Sequence, residues 1–167
     1  LLSLVLLLDK SGKVAMCIMS AFIHECGHIT ALMINRVKIK SIRLRTFDIL
    51  IDASKRESFW CDFTVTVFGP VFNLIFALIF FKVYYPFFVS NVVLAVFNLL
   101  PLETFDGGYA LKLILNRFFS YKTVNTVLLV LSLLLLIPML LLGILVLFYS
   151  KYNYSLLLIA LYLLAIL

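Results

Sequence analysis

Long apolar stretches separated by short polar ones organise most of this chain. Residues 14–33, 60–82 and 123–149 are each apolar over about the 20 residues that a helix needs to cross a bilayer. Another apolar segment runs from near 85 to about 102, and residues 153–167 begin a last helix. The pattern predicts an all-α polytopic membrane protein with about five to six transmembrane helices.

Other segments are less regular. Residues 1–8 are apolar but too short to span, and we interpret them as the end of a helix. Residues 106–122 are less apolar than their neighbours. The 123–149 segment is longer than a bilayer core of about 30 Å and contains Pro138, so we expect a tilt or a kink.

Residues 34–59 form the only long polar stretch. Apolar and basic residues alternate over 37–40 and again, in shifted phase after Ser41, over 42–45. Alternation with a period of two predicts a small β-strand element in this loop, with a kink or bulge at the phase change. The strand offers an edge to which an extended substrate could add, or it simply covers the site. Both alternatives stay open.

The composition excludes an ordinary soluble domain. Hydrophobic residues make up 65% of the chain and charged residues 13%, and the mean hydropathy is +1.18. If the 34–59 loop is cytoplasmic, alternating spans place ten of the 14 basic residues on that side, as the positive-inside rule expects. The net charge of +6 therefore indicates topology in a lipid bilayer, and no nucleic-acid partner is expected.

The three cysteines are widely spaced and indicate neither a disulfide framework nor a zinc finger.

The first long apolar segment contains a metal-binding motif, His24-Glu25-Cys26-Gly27-His28. On a helix, residues four apart share a face, so both imidazoles can reach one zinc ion, while Glu25 lies near enough to act as general base. These are the only two histidines of the chain. Ionisable groups are costly within an apolar helix and are usually functional there, which favours a zinc site over structural polar contacts between helices. Cys17 and Cys26 are interpreted as packing residues.

A catalytic zinc ion needs a third protein ligand. The best candidates are Glu103 and Asp106, which follow the helix-interrupting Pro101. Asp106 is followed by two glycines and so offers a carboxylate on flexible backbone. The residues alone favour Asp106 over Glu103 only modestly, and both remain candidates.

Together these motifs resemble the site-2 protease family of zinc intramembrane metalloproteases. HECGH lies in one apolar helix, and Asn98-x-x-Pro101-x4-Asp106-Gly107 lies near the end of a later one. In the span between them, the run from Gly69-Pro70 to Asn73 resembles the family's glycine–proline–asparagine helix. The resemblance covers nearly all of residues 14–119. We expect a single integral-membrane metalloprotease domain over 1–167, with its catalytic core at about 14–119 and C-terminal helices at 123–167. The sequence contains no recognisable PDZ or CBS domain, so the chain resembles a bare catalytic core of the family.

The resemblance also implies the site residues. One catalytic zinc ion would be held by His24, His28 and Asp106, with Glu25 as general base. Asn73 and Asn98 would help bind substrate or stabilise the oxyanion, the alternative for both being hydrogen bonds between helices.

Three departures from the family pattern concern substrate preference. Cys26 occupies a position that is more often aliphatic. The segment 102–105 replaces a proline-containing approach to the Asp-Gly pair, and Tyr109 follows where a basic or polar residue is common. None of these changes removes a ligand or the base.

The expected function is therefore that of a zinc metalloendopeptidase. It would hydrolyse a peptide bond within or near a transmembrane segment of a membrane-bound protein or peptide substrate, in regulated intramembrane proteolysis. The expected location is a bacterial or archaeal cell membrane, with the active site towards the cytoplasm. The alternative is a zinc-dependent membrane binding or transport protein without hydrolytic activity. A catalytically dead scaffold would be expected to lose Glu25, which is intact.

Overall fold

The structure is a computed structural model that describes residues 12–37, 39–44, 49–53, 58–149 and 154–167. Within these residues it contains six helices and two strands. In chain order they are α1 (Lys13–Ile34), β1 (Ile39–Leu44), β2 (Ile49–Ala53), α2 (Phe59–Phe80), α3 (Tyr85–Asn98), α4 (Asp106–Leu115), α5 (Tyr121–Tyr149) and α6 (Ser155–Ile166). The helix end predicted at 1–8 lies outside the described residues.

Three helices of the described chain, α1, α2 and α5, are long and apolar enough to cross a membrane. The chain is accordingly an integral membrane protein. The apolar helices α3 and α6 are shorter, so among the described residues three helices reach full length, against the five to six spans predicted. With 14 residues at about 1.5 Å each, α3 is about 21 Å long, less than the hydrocarbon core of about 30 Å. Its helical geometry ends at Asn98, just before the segment that contains Pro101.

The loop between α1 and α2 contains the two strands. β1 pairs with β2 in antiparallel register, with Ile42 opposite Ile51. The register shifts between Ile39 and Ser41, next to the residue at which the apolar–basic alternation changes phase.

The chain divides into two compact units, the first of which ends at Leu99. In this unit α1 and α2 cross closely at Gly27, where an added Cβ would collide with the carbonyl oxygen of Phe68. Beside this crossing, Ala31 and Leu32 of α1 pack in one buried cluster with Val65 of α2. Small residues at a crossing let two backbones approach, a common means of packing helices in lipid.

The third helix of the first unit completes the packing around α1 and α2. The rings of Phe80 and Phe87 meet edge to face across the short α2–α3 connection, with centroids 5.0 Å apart. Ser20 of α1 donates a 2.9 Å hydrogen bond to the hydroxyl of Ser90 on α3. The three helices therefore share an interior that includes polar side chains.

The second unit begins at Leu100 and contains α4, α5 and α6. The backbone before α4 folds tightly, because an added Cβ at Gly108 would collide with the carbonyl of Leu102. Lys112 of α4 pairs with Glu103 at 2.7 Å and lies 5.5 Å from the centre of the Tyr121 ring. The hydrogen bond to Glu103 raises the pKa of Lys112, against a smaller opposing effect of burial. The ion pair thus ties the segment before α4 to the last turn of that helix.

The crossing of α5 and α6 predicts a packing defect in the variant Gly143→Val. A Cβ on Gly143 would stand 2.9 Å from the Cα of Leu157, which leaves no room for a branched side chain. We expect Gly143→Val to destabilise the second unit by about 1–3 kcal/mol, the usual cost of overpacking. The measurement is thermal unfolding in detergent followed by circular dichroism.

Leu142→Val is the matched control, because Leu142 directly precedes Gly143 on α5 and is exposed. Equal melting temperatures for Gly143→Val and the control would contradict a tight α5–α6 crossing.

Candidate metal centre

The two histidines of the chain lie on one face of α1. His24 is buried and His28 half-buried, and their ring centroids are 4.8 Å apart. The two Nε2 atoms face each other at 3.1 Å. Two nitrogens bound to one tetrahedral zinc ion at about 2.0–2.1 Å would lie about 3.3 Å apart, so the spacing fits metal ligation.

The other ring nitrogen of each histidine is held by an oxygen atom on α2. His28 Nδ1 lies 2.7 Å from the carbonyl oxygen of Val65, which can only accept, so Nδ1 carries the hydrogen. His24 Nδ1 lies 2.8 Å from Oδ1 of Asn73. The amide nitrogen of Asn73 donates to the carbonyl of Ser20 and to Oδ1 of Asn91, both at 2.9 Å. The amide oxygen of Asn73 is thereby turned towards His24.

These bonds fix the tautomer of both rings. With hydrogen on Nδ1, each neutral imidazole presents the lone pair of Nε2 to the other. Two lone pairs at 3.1 Å repel each other unless a cation lies between them. A metal-ligating histidine normally donates its second ring N–H to a carbonyl or carboxylate in this way. The donor set therefore fits a zinc ion.

Gly69 gives α2 room to pass the two imidazoles. A Cβ added there would lie 2.5 Å from Nε2 of His28 and 2.8 Å from Cε1 of His24. Any other residue would therefore intrude where the two rings meet. Gly69 and the adjacent Pro70 are both buried.

Glu25 follows His24 on α1 and is half-buried. Successive helical residues are rotated by about 100°, so its carboxylate starts beside the histidine face and not on it. That position is suited to a group that acts on a reactant at the metal without binding the metal.

The remaining predicted residues lie further along the chain. Asn98 is the last residue of α3, and its amide nitrogen donates to the carbonyl of Leu94 at 3.1 Å. Asp106 is the first residue of α4 and half-buried. The two histidines belong to the first unit and Asp106 to the second. The role of Asp106 as the third metal ligand stays a prediction from the sequence. The rival candidate, Glu103, is paired with Lys112.

Sequence reasoning did not single out Asn91 or the carbonyl of Val65. Asn91 is a buried asparagine in apolar α3, about two helical turns before Asn98. An amide side chain within an apolar segment was the signal in the sequence that could have identified it. The carbonyl of Val65 offered no such signal, because every residue of the chain has one.

Comparison with known proteins places this geometry in a known fold. Neither protein-family models nor curated proteins match the chain. Among solved structures, the chain is similar to the site-2 protease from Methanocaldococcus jannaschii, with a TM-score of 0.70 and 23% sequence identity. The match covers 97% of this chain and 80% of that one. It confirms, at the level of the fold, the resemblance that the motifs indicated.

The approach of Gly69 to the imidazoles predicts that Gly69→Ala weakens metal binding. The methyl group would displace one or both rings from the facing arrangement, so we expect zinc affinity to fall about tenfold or more. The measurement is competition for zinc with a chelator in detergent.

Leu74→Ala is the control for Gly69→Ala, because Leu74 lies on α2 and is exposed. An unchanged zinc affinity in Gly69→Ala would show that the rings do not need this close approach.

Proposed function

We propose that the protein is an intramembrane zinc metalloprotease of the site-2 protease type. It hydrolyses a peptide bond within or near a transmembrane segment of a membrane-bound substrate. The observation that carries this proposal is the histidine pair on apolar α1, with its Nε2 atoms 3.1 Å apart and both Nδ1 atoms held by oxygens. The shared fold and the order of the motifs support it further.

In this proposal His24, His28 and Asp106 hold the zinc ion. Zinc in such a site polarises the scissile carbonyl and activates water. Asp106 is preferred to Glu103 for two reasons. It occupies the Asp-Gly position of the motif, and the carboxylate of Glu103 is engaged by Lys112 at 2.7 Å. The acidic residue at the start of α4 then completes a three-ligand set.

Glu25 is proposed as the general base. It accepts the proton of the attacking water and returns it to the amine that leaves when the peptide bond breaks. A carboxylate in an apolar helix is costly, and this chemical role accounts for its presence there. Cys26, the next residue, is a packing residue in the proposal.

Asn73 and Asn98 are proposed to have different roles. Asn73 is fully buried, and both its amide nitrogen and its oxygen are engaged within the protein. We therefore assign it to positioning His24 and not to the oxyanion. The bond from Asn98 to Leu94 uses one of two amide hydrogens, so the second can serve a substrate oxygen.

The proposed partners are the lipid bilayer and a membrane-spanning protein or peptide. His28 lies six residues before Ile34, the last residue of α1, or about 9 Å along the helix at about 1.5 Å per residue. The basic 34–59 loop follows directly, which supports an active site open towards the cytoplasm. Water then has a short path to the histidines.

An extended substrate could add to β1 as a further strand, since within the described chain this sheet has two strands.

A zinc-dependent binding or transport protein would use the same ligands without hydrolysis. That alternative gives Glu25 no function, and it is not favoured.

The general-base role predicts that Glu25→Gln abolishes proteolysis and keeps the metal. The amide cannot accept the proton from water, so we expect cleavage of a transmembrane reporter to fall about 10²–10⁴-fold. Zinc content, measured on the same preparations, should stay near that of the natural protein because Glu25 is not a ligand.

Cys26→Ala is the matched control, one residue along α1, and should cleave normally. Full activity in Glu25→Gln would exclude Glu25 as the base. Bound zinc without cleavage in the natural protein would favour the binding or transport alternative.

The ligand assignment predicts different outcomes for two acidic residues of the same segment. Asp106→Asn should lose zinc affinity strongly, because a neutral amide is a poor zinc ligand. Glu103→Gln should retain zinc, because the carboxylate that it removes pairs with Lys112. Zinc stoichiometry after dialysis distinguishes the two, and the reverse pattern would move the third ligand to Glu103.

A further inference from the structure

Asn91 is a buried polar residue to which neither the motifs nor the proposed mechanism assigns a role. It lies in the middle of α3, fully buried, on a helix whose other residues are mostly apolar. A buried amide in such a place must be hydrogen-bonded, because an unsatisfied one costs several kcal/mol, about the sum of a lost hydrogen bond and the desolvation of the amide. The hydrogen bonds of Asn91 therefore indicate its role.

Those bonds lead from the backbone of α3 to the imidazole of His24. The amide nitrogen of Asn91 donates to the carbonyl of Phe87 at 2.9 Å, which turns its oxygen the other way. That oxygen accepts from the amide nitrogen of Asn73 at 2.9 Å. The oxygen of Asn73 then accepts from His24 Nδ1 at 2.8 Å.

Each asparagine amide in this series could be rotated by 180°, which exchanges its nitrogen and its oxygen. The orientation of the Asn73 amide decides which of the two faces His24. If the amide of Asn73 were reversed, its NH₂ group would face His24 Nδ1, which would then have to be the acceptor. The hydrogen of the neutral ring would move to Nε2, the atom that faces His28. An Nε2 that carries hydrogen cannot bind a metal ion.

The amide nitrogen of Asn73 has two acceptors. One is the backbone carbonyl of Ser20. The other is the side-chain oxygen of Asn91, whose orientation is fixed because the Asn91 amide nitrogen donates to a backbone carbonyl. Reversal of the Asn73 amide would therefore bring two oxygens together at both places. The direction of the whole series is set by fixed backbone acceptors and not by the imidazole.

We propose that Asn91 is a positioning residue that holds His24 in the metal-binding tautomer by fixing the amide of Asn73. The inference rests on the proposed function in so far as His24 is a zinc ligand. It extends the site to a third helix, α3, and to a residue that has no direct contact with His24 or His28 among the hydrogen bonds described. The competing account is that Asn91 only stabilises the packing of α3.

The test uses ¹⁵N-labelled histidine, since a chain with two histidines gives only four ring-nitrogen signals. In the metal-free protein, at a pH where both rings are neutral, His24 should carry its hydrogen on Nδ1. In Asn91→Leu, which keeps the size but removes the amide, only the Ser20 carbonyl still orients Asn73, and a measurable share of His24 should shift to the Nε2–H tautomer. His28 should not change, because its partner is the backbone carbonyl of Val65.

Zinc affinity is the second measurement. Outer partners of metal ligands contribute about 10–100-fold to affinity, and Asn91 acts through Asn73, so we expect a loss of about tenfold in Asn91→Leu. Ser90→Ala is the matched control. Ser90 precedes Asn91 and bonds to Ser20 of α1, but it takes no part in the amide series. This control should keep both the tautomer and the affinity of the natural protein.

Three results would overturn the inference. They are an Nε2–H tautomer of His24 in the metal-free natural protein, an unchanged tautomer in folded Asn91→Leu, and an equal change in Ser90→Ala. The first needs no variant, so it decides the matter even if Asn91→Leu does not fold. Because these spectra involve neither substrate nor metal, they are independent of the Glu25→Gln result, which tests the proteolytic function by itself.

Discussion

The close crossing of α1 and α2 is the constraint on which the rest of the first unit depends. Gly27 and Gly69 remove the side chains that would otherwise hold the helices apart. Only at that separation can Val65 and Asn73 of α2 reach the Nδ1 atoms of the two imidazoles. One packing interaction thus places the two imidazoles and sets their tautomers together.

Within the described helices of the first unit, few polar side chains are buried, and His24, Asn73 and Asn91 among them are joined by hydrogen bonds. In lipid no water is available to hydrogen-bond an amide or imidazole, so each polar side chain must form its hydrogen bonds within the protein. Asn73 satisfies this condition with bonds to α1 and α3, and Asn91 with bonds to Asn73 and to its own helix. The same bonds that satisfy buried amides give His24 a fixed orientation. In the proposed function, the bonds that satisfy the buried amides therefore also orient His24 for the metal ion.

Much of the helical pattern was predictable because hydropathy alone records which segments can lie in lipid. The long helices α1, α2 and α5 fall within or near the three longest apolar segments of the sequence. The extent of α3 was less predictable, because the apolar segment continues to Leu102 while the helix ends at Asn98. A hydropathy pattern does not report where hydrogen bonding along a helix stops.

The sequence by itself determined the chemistry of the candidate site. Two histidines four residues apart with a glutamate between them, in an otherwise apolar helix, predict a metal site through helix geometry alone. Only the tertiary structure decided which nitrogen of each ring faces the other ring and which groups hold its second nitrogen. Those partners are a backbone carbonyl and a series of amides from different helices, distant in sequence and brought together by packing. Spacing along one helix is local information, whereas a hydrogen-bond direction that passes through three helices exists only in the folded chain.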